Sequence, residues 1–156
     1  MKGHLTLDTP APAPAAAIWE AYRGIELGRL VSELLGDVIG KAEVVEGDGG
    51  VGTIMKFTFP PGTPGVGYMK EIFTKMDEVN RVKETEVFEG GVKPLGFDSY
   101  RFKLEIIEKD DWSSIIRSSI EYEILDETKN DIASHATLEP LEIIAKTIGK
   151  YVAEKK

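Results

Sequence analysis

The 156-residue chain contains no cysteine, which excludes disulfides, thiolate nucleophiles and cysteine-ligated metal. It has two histidines, His4 and His135, too few for a histidine-rich metal centre or a paired-histidine ribonuclease site. Basic side chains are scarce relative to acidic ones, 19 against 27, for a net charge of −8. That balance argues against non-specific nucleic-acid binding, which depends on Lys and Arg neutralising phosphates. It argues equally against an anionic membrane surface. No apolar run is long enough to suggest a membrane span. Met1-Lys2-Gly3-His4 leads into no apolar signal region, so an unprocessed cytoplasmic chain is expected. There is no internal repeat.

What is present is an ordinary globular composition, 42% hydrophobic and 29% charged. The length suits one domain over residues 1–156, large enough to bury a core and to leave room for a cavity.

The most distinctive stretch is Glu46-Gly47-Asp48-Gly49-Gly50-Val51-Gly52-Thr53, with four glycines in six positions. It lies between two strand-like runs, Ala42–Glu46 and Thr53–Phe59. A phosphate-cradling Walker loop needs Gly-Lys-Ser/Thr opening a helix. Here Thr53 opens a strand with no lysine beside it. A dinucleotide fingerprint also requires a following helix. The stretch therefore reads as a structural hairpin loop.

The remaining elements follow from periodicity. Alternation over His4–Thr9 predicts a strand, broken by Pro10, Pro12 and Pro14. Ala15–Tyr22 and Glu26–Leu35 carry apolar residues at helical spacing and predict two short helices separated at Gly24. The period then drops to two. Strands are expected over Lys41–Glu46, Thr53–Phe59, Gly67–Met76, Arg81–Phe88, Phe97–Ile107 and Ser113–Ile124. A long helix is expected over Ile132–Glu154, with Leu141 and Ile144 on its apolar stripe and Pro140 as a kink or break. Sequential strands with segregated helices make an α+β protein. One curved antiparallel sheet wrapped around the long helix is the economical packing, and it can leave a hollow.

Strand alternation supplies candidate site residues. Met69, Glu71 and Phe73 share one face, and Glu71 between apolar neighbours would be desolvated and raised in pKa. That suits a general base; the competing reading is a rim ion pair with Lys70 or Lys83. Lys83, Thr85 and Val87 share a face opposite Glu84 and Glu86, so Lys83 points inward. A buried lysine beside a carboxylate can hydrogen-bond a carbonyl oxygen or form a Schiff base; the competing reading is a structural ion pair. Asp98, Tyr100 and Phe102 form an inward set on the next strand, and Tyr122 joins them from the last. These aromatics serve equally as core or as cavity wall for an aromatic ligand.

The glycine loop Glu46–Thr53, Glu89-Gly90-Gly91 and Leu138-Glu139-Pro140-Leu141, together with the element order, resemble the plant pathogenesis-related class ten family, that of the major birch pollen allergen. Lys70-Glu71-Ile72-Phe73, Arg81-Val82-Lys83-Glu84 and Ser118-Ser119-Ile120-Glu121-Tyr122 resemble its norcoclaurine synthase and norbelladine synthase branch. The resemblance implies a helix-grip fold: a seven-stranded sheet around a long C-terminal helix, two short helices after strand one, and a large apolar cavity. It implies condensation of a phenethylamine such as dopamine or tyramine with an aromatic aldehyde, with no cofactor and no metal. The alternative it carries is a non-catalytic carrier of a hydrophobic hormone or phenolic ligand. By resemblance Lys83 contacts the aldehyde oxygen or departing water, Glu71 removes a ring proton as the aromatic system is restored, and Tyr68 matches a tyrosine of the norbelladine branch. Met69, Phe73, Asp98, Tyr100, Phe102, Tyr122, Leu141 and Ile144 would line the ligand site. Phe102 stands where norcoclaurine synthases carry a carboxylate, and Met69 and Val92 stand where they carry tyrosines. These departures remove polar groups from the ring-closing machinery; simple imine formation needs fewer. The gate-and-latch signature of abscisic-acid receptors is not found near Pro60–Gly65. The expected partner is a small aromatic or hydrophobic molecule, with no nucleic acid and no membrane, on a monomer or weak dimer.

Overall fold

The computed structural model describes residues 1–155. Its strands are β1 (Lys2–Ala11), β2 (Lys41–Glu46), β3 (Ile54–Thr58), β4 (Tyr68–Asp77), β5 (Val82–Gly90), β6 (Ser99–Glu108) and β7 (Ser114–Glu123). Its helices are α1 (Ala15–Tyr22), α2 (Glu26–Leu35) and α3 (Glu139–Glu154). The strands form one antiparallel sheet in the order β1-β7-β6-β5-β4-β3-β2. Strands β2 to β7 meander through short turns, and β1 closes onto β7 with Leu5 opposite Ile120. The α+β helix-grip architecture is that expected from the sequence.

Two element boundaries differ from the sequence reading. Strand β1 runs on through Pro10 to Ala11, with Pro10 opposite Ile115. Proline lacks the N–H of a ladder bond, but β1 is an edge strand, where that donor is dispensable. The long helix begins at Glu139, not Ile132. Pro140 sits in its first turn, where a missing N–H costs nothing, so it starts the helix and does not kink it. Residues Glu127–His135 form 3₁₀ turns, opened by Asp126, whose carboxylate accepts the Thr128 N–H at 3.0 Å.

Helix α3 lies across β1, where Gly149 lets it approach Ala11 and Pro12. Ile144, Ala145 and Ile148 are buried on its inward side. With Ile18, Tyr22, Leu30, Phe73, Leu104 and Ile116 they make the main core. A second cluster gathers Val87, Phe97, Tyr100, Ile120 and Ile124. There Phe97 meets Tyr100 and Tyr122 edge-on, with ring centroids 5.1 and 5.4 Å apart. Edge-to-face stacking fixes these rings. Among the described residues, no helix is long and apolar enough to cross a membrane.

Candidate active site

A cavity of about 240 Å³ lies between the inner face of the sheet and helices α2 and α3. Its wall is largely apolar: Leu27 and Val31 from α2, Phe57 from β3, Phe102 and Leu104 from β6, and Leu141 and Ile144 from α3. Four titratable side chains line it: Glu71, Lys83, Tyr100 and His135. Thr63 and Thr137 add hydroxyls.

Glu71 and Lys83 are both buried, at 7% and 2% exposure. They come from β4 and β5 but are not opposite one another: Glu71 faces Val87, and Lys83 faces Met76. Lys83 does not ion-pair with Glu71. Its Nζ donates to the backbone carbonyls of Tyr22 at 3.1 Å and Gly24 at 2.8 Å, at the α1–α2 junction. It also lies 4.4 Å from the centroid of the Phe73 ring, a cation–π contact. An ammonium has three hydrogens, so two are held by the fold and one remains for a ligand. Burial pulls the Lys83 pKa down to about 8, opposed by the negative charge of Glu71. At neutral pH the group is therefore mainly ammonium, a donor more than a nucleophile.

Glu71 accepts a hydrogen bond from the Thr85 hydroxyl, Oγ1 to Oε2, at 3.1 Å. Burial raises its pKa above the ordinary carboxylate value, while the Lys83 charge and the Thr85 hydroxyl oppose the rise. A desolvated carboxylate of this kind takes up a proton more readily than an exposed one.

The carbonyl seat of Lys83 is built by distant sequence. Gly24 takes φ +58, and the glycine loop folds directly onto it. A Cβ on Gly49, itself at φ +108, would come within 3.2 Å of the Gly24 Cα. The loop closes on itself through the Gly49 N–H to Thr53 Oγ1, 2.9 Å. On the other side, Glu78 in the β4–β5 turn accepts from Trp19 Nε1 at 2.7 Å and is clamped by the Arg23 guanidinium. The stretch that dominates the sequence is thus a buttress for the lysine's partners, and no phosphate role is implied.

Over residues 1–155 the chain matches the pathogenesis-related protein Bet v 1 family. The chain belongs to the Bet v 1 family. Within it, the chain is 45% identical over 156 residues to norbelladine synthase of Narcissus pseudonarcissus, covering 100% of this chain and 95% of that protein. It is 38% identical over 157 residues to S-norcoclaurine synthase 2 of Papaver somniferum, covering 100% of this chain and 68% of that one. The X-ray structure of norcoclaurine synthase from Thalictrum flavum in complex with dopamine and hydroxybenzaldehyde superposes with a TM-score of 0.88 at 32% identity, covering 100% of this chain and 89% of that one.

Within this Bet v 1 fold, Met69, Tyr100, Phe102, Leu141 and Ile144 join Glu71 and Lys83 on the cavity wall. Phe73 is sealed in the core, 1% exposed, and reaches the site through its contact with Lys83. Three expected residues lie elsewhere. Tyr68 is on the outer face of β4, where its hydroxyl donates to Glu89 at 2.9 Å and Lys56 stands over its ring. Strand alternation requires this, since Met69 and Glu71 occupy the inner face. Asp98 precedes β6, so the alternation of that strand does not reach it; its carboxylate is exposed and accepts the Leu125 N–H at 2.7 Å. Tyr122 packs against Phe97 at the far side of the second cluster, off the cavity wall. Residues not singled out from sequence include Thr85, Leu27, Val31, Thr63 and His135. Thr85 had a signal, being on the inward face between Lys83 and Val87. The carbonyls of Tyr22 and Gly24 had none, because backbone groups carry no sequence signature.

Proposed function

We propose that the cavity condenses a phenethylamine, of the dopamine or tyramine type, with an aromatic aldehyde. The observation that carries this reading is the burial of Lys83 and Glu71 in one apolar cavity without an ion pair between them. Charged groups left unpaired at such cost are held for a ligand. The relatives' names and the Thalictrum flavum complex support the same chemistry.

The amine nitrogen adds to the aldehyde carbon to give a carbinolamine. The free ammonium hydrogen of Lys83 bonds the developing oxyanion and then the departing water. One amine proton moves to that oxygen as the carbinolamine forms. Lys83 then gives its proton to the hydroxyl, which leaves as water. The resulting iminium N–H proton passes to Glu71 to leave the imine, and Glu71 returns that proton to Lys83. The balance is amine plus aldehyde giving imine plus water. Ring closure would further require a ring proton to leave, and at Met69, Val92 and Phe102 the cavity wall carries apolar side chains in place of polar ones. Imine formation is accordingly the step the site is best equipped to perform. We place this activity in one ligand-binding unit spanning residues 1–156, acting in the cytoplasm as a monomer or weak dimer.

The predominance of apolar wall favours a second reading, a carrier for a hydrophobic hormone or phenolic ligand. The deciding assay incubates the protein with tyramine or dopamine and 3,4-dihydroxybenzaldehyde or 4-hydroxyphenylacetaldehyde. A parallel tube holds a reductant to trap the imine, and products are resolved on a chiral column. Reducible imine above the buffer rate is expected. A rate equal to buffer throughout would leave the carrier reading, tested by thermal shift with plant hormones.

A further inference from the structure

We propose that Thr85 is a positioning residue for Glu71: its hydroxyl pins Oε2 and so selects Oε1 as the oxygen that meets the ligand. Thr85 is 2% exposed and lines the same cavity. In the sheet it lies opposite Phe73, so its hydroxyl reaches Oε2 diagonally, at 3.1 Å. Among the described residues no other group donates to this carboxylate. Among the described residues Oε1 has no hydrogen-bond partner, and Glu71 lines the cavity.

A threonine hydroxyl has one hydrogen to give. Given to Oε2, it fixes the plane of the carboxylate and directs incoming protons to the other oxygen. When a ligand N–H bond breaks, the proton forms the Oε1–H bond, the electron pair stays on the ligand nitrogen, and the threonine hydrogen remains on Oγ1. The bond also favours the anionic carboxylate against the cost of burial. The groups that face Glu71 across the cavity are Lys83 on β5, Tyr100 on β6 and His135 ahead of α3; α2 and α3 bring only apolar side chains to it. Lys83 acts on Glu71 through its charge, and Thr85 through a hydrogen bond.

The kinetic arm of the test rests on the condensation reading; the spectroscopic arm does not. Thr85→Val keeps the shape and removes the hydroxyl, and Thr85→Ser keeps the hydroxyl. Carbon-13 NMR titration of the side-chain carboxyls, with the Glu71 signal assigned by its loss in Glu71→Gln, reads the carboxylate directly. The Glu71 midpoint is expected to rise by about one pH unit in Thr85→Val and to stay in place in Thr85→Ser, the size of a hydrogen bond to a charged group. In the imine assay the acid limb of the kcat profile should move up with it, with kcat down about tenfold, KM little changed and activity restored by serine. An unmoved midpoint in a folded Thr85→Val protein overturns the proposal. A moved midpoint with an unmoved kcat profile overturns its link to proton transfer. Absence of turnover in the wild-type protein overturns the condensation reading alone, and the titration still decides the role of Thr85.

Discussion

Strands β4 and β5 carry lysines and carboxylates on both faces, and the two faces use them in opposite ways. On the outer face Lys70 meets Glu89 at 3.4 Å, Lys75 meets Glu84 at 3.7 Å, and Arg101 of β6 meets Glu86 at 2.9 Å. These pairs keep contact with water, so each contributes little to stability and fades with salt. On the inner face Glu71 and Lys83 are stripped of water and decline to pair, because one is held by a threonine and the other by two carbonyls. A shift of one residue along a strand separates the two environments. The pKa values diverge accordingly. Glu89 is held below the ordinary carboxylate value by Tyr68 and Lys70, whereas burial pushes Glu71 above it.

The largest expected effect comes from removing the inner lysine and its outer counterpart in turn. Lys83→Met should lower kcat for imine formation about 100- to 10,000-fold, the usual reach of a proton-donating group. Lys70→Met should change it less than about twofold, within the range of exposed substitutions. Equal losses would erase the distinction between the faces. Lys83 also leaves a mark on stability. Its folded-state pKa of about 8 lies below the ordinary 10.5, so the unfolded chain binds more protons between these values. Stability should therefore rise through this group as pH increases from about 8 to 10.5, and that slope should vanish in Lys83→Met urea titrations.

Glu71→Gln should come next, with kcat down about 100-fold. The raised pKa of Glu71 means that its contribution to stability is complete below the ordinary value of 4.5 and is lost as pH climbs through the folded value. Removing the charge should therefore raise Tm at alkaline pH. The gain should shrink in acid. Glu89→Gln should show the reverse sign: the stability from its lowered pKa is present above 4.5 and fades as pH falls. Differential scanning calorimetry across pH reads both.

A smaller effect is expected at Glu78, which clamps α1 through Trp19 and Arg23 and so steadies the carbonyls that seat Lys83. Glu78→Gln should cost roughly 0.5–1 kcal/mol in chemical denaturation, the half-exposed Arg23 pair being discounted for screening, and should reduce kcat a few-fold. The smallest is Tyr68→Phe on the outer face. It should leave Tm unchanged and kcat within about twofold. A large loss of kcat there would bring the outer face into the chemistry.

Much of the fold was readable from pattern. The short helices Ala15–Tyr22 and Glu26–Leu35 appear with those bounds, because Gly24 and Gly36 and a clear helical period mark them. Strand faces were equally legible: the acidic residues Glu84 and Glu86 force Lys83, Thr85 and Val87 inward. Boundaries failed where a proline has more than one use. Pro10 reads as a break yet fits an edge strand, and Pro140 reads as a kink yet starts a helix. Asp98 lies off the cavity wall because a strand face ends where the strand does, and Tyr68 because the pleat turns it outward.

The amino-acid order by itself determined which side chains could be buried together, since alternation along β4 and β5 is a local property of an extended chain. It determined the absence of thiol chemistry and the apolar stripe that α3 presents. Only the tertiary structure decided that Lys83 is held by carbonyls and not by Glu71, and that Thr85 is the donor to Glu71. It also decided that the glycine loop supports the lysine's seat from outside. The physical reason is that these contacts join residues dozens of positions apart and run through backbone atoms and diagonal strand neighbours. Their geometry exists only after the sheet has curved and the α1–α2 junction has closed over it.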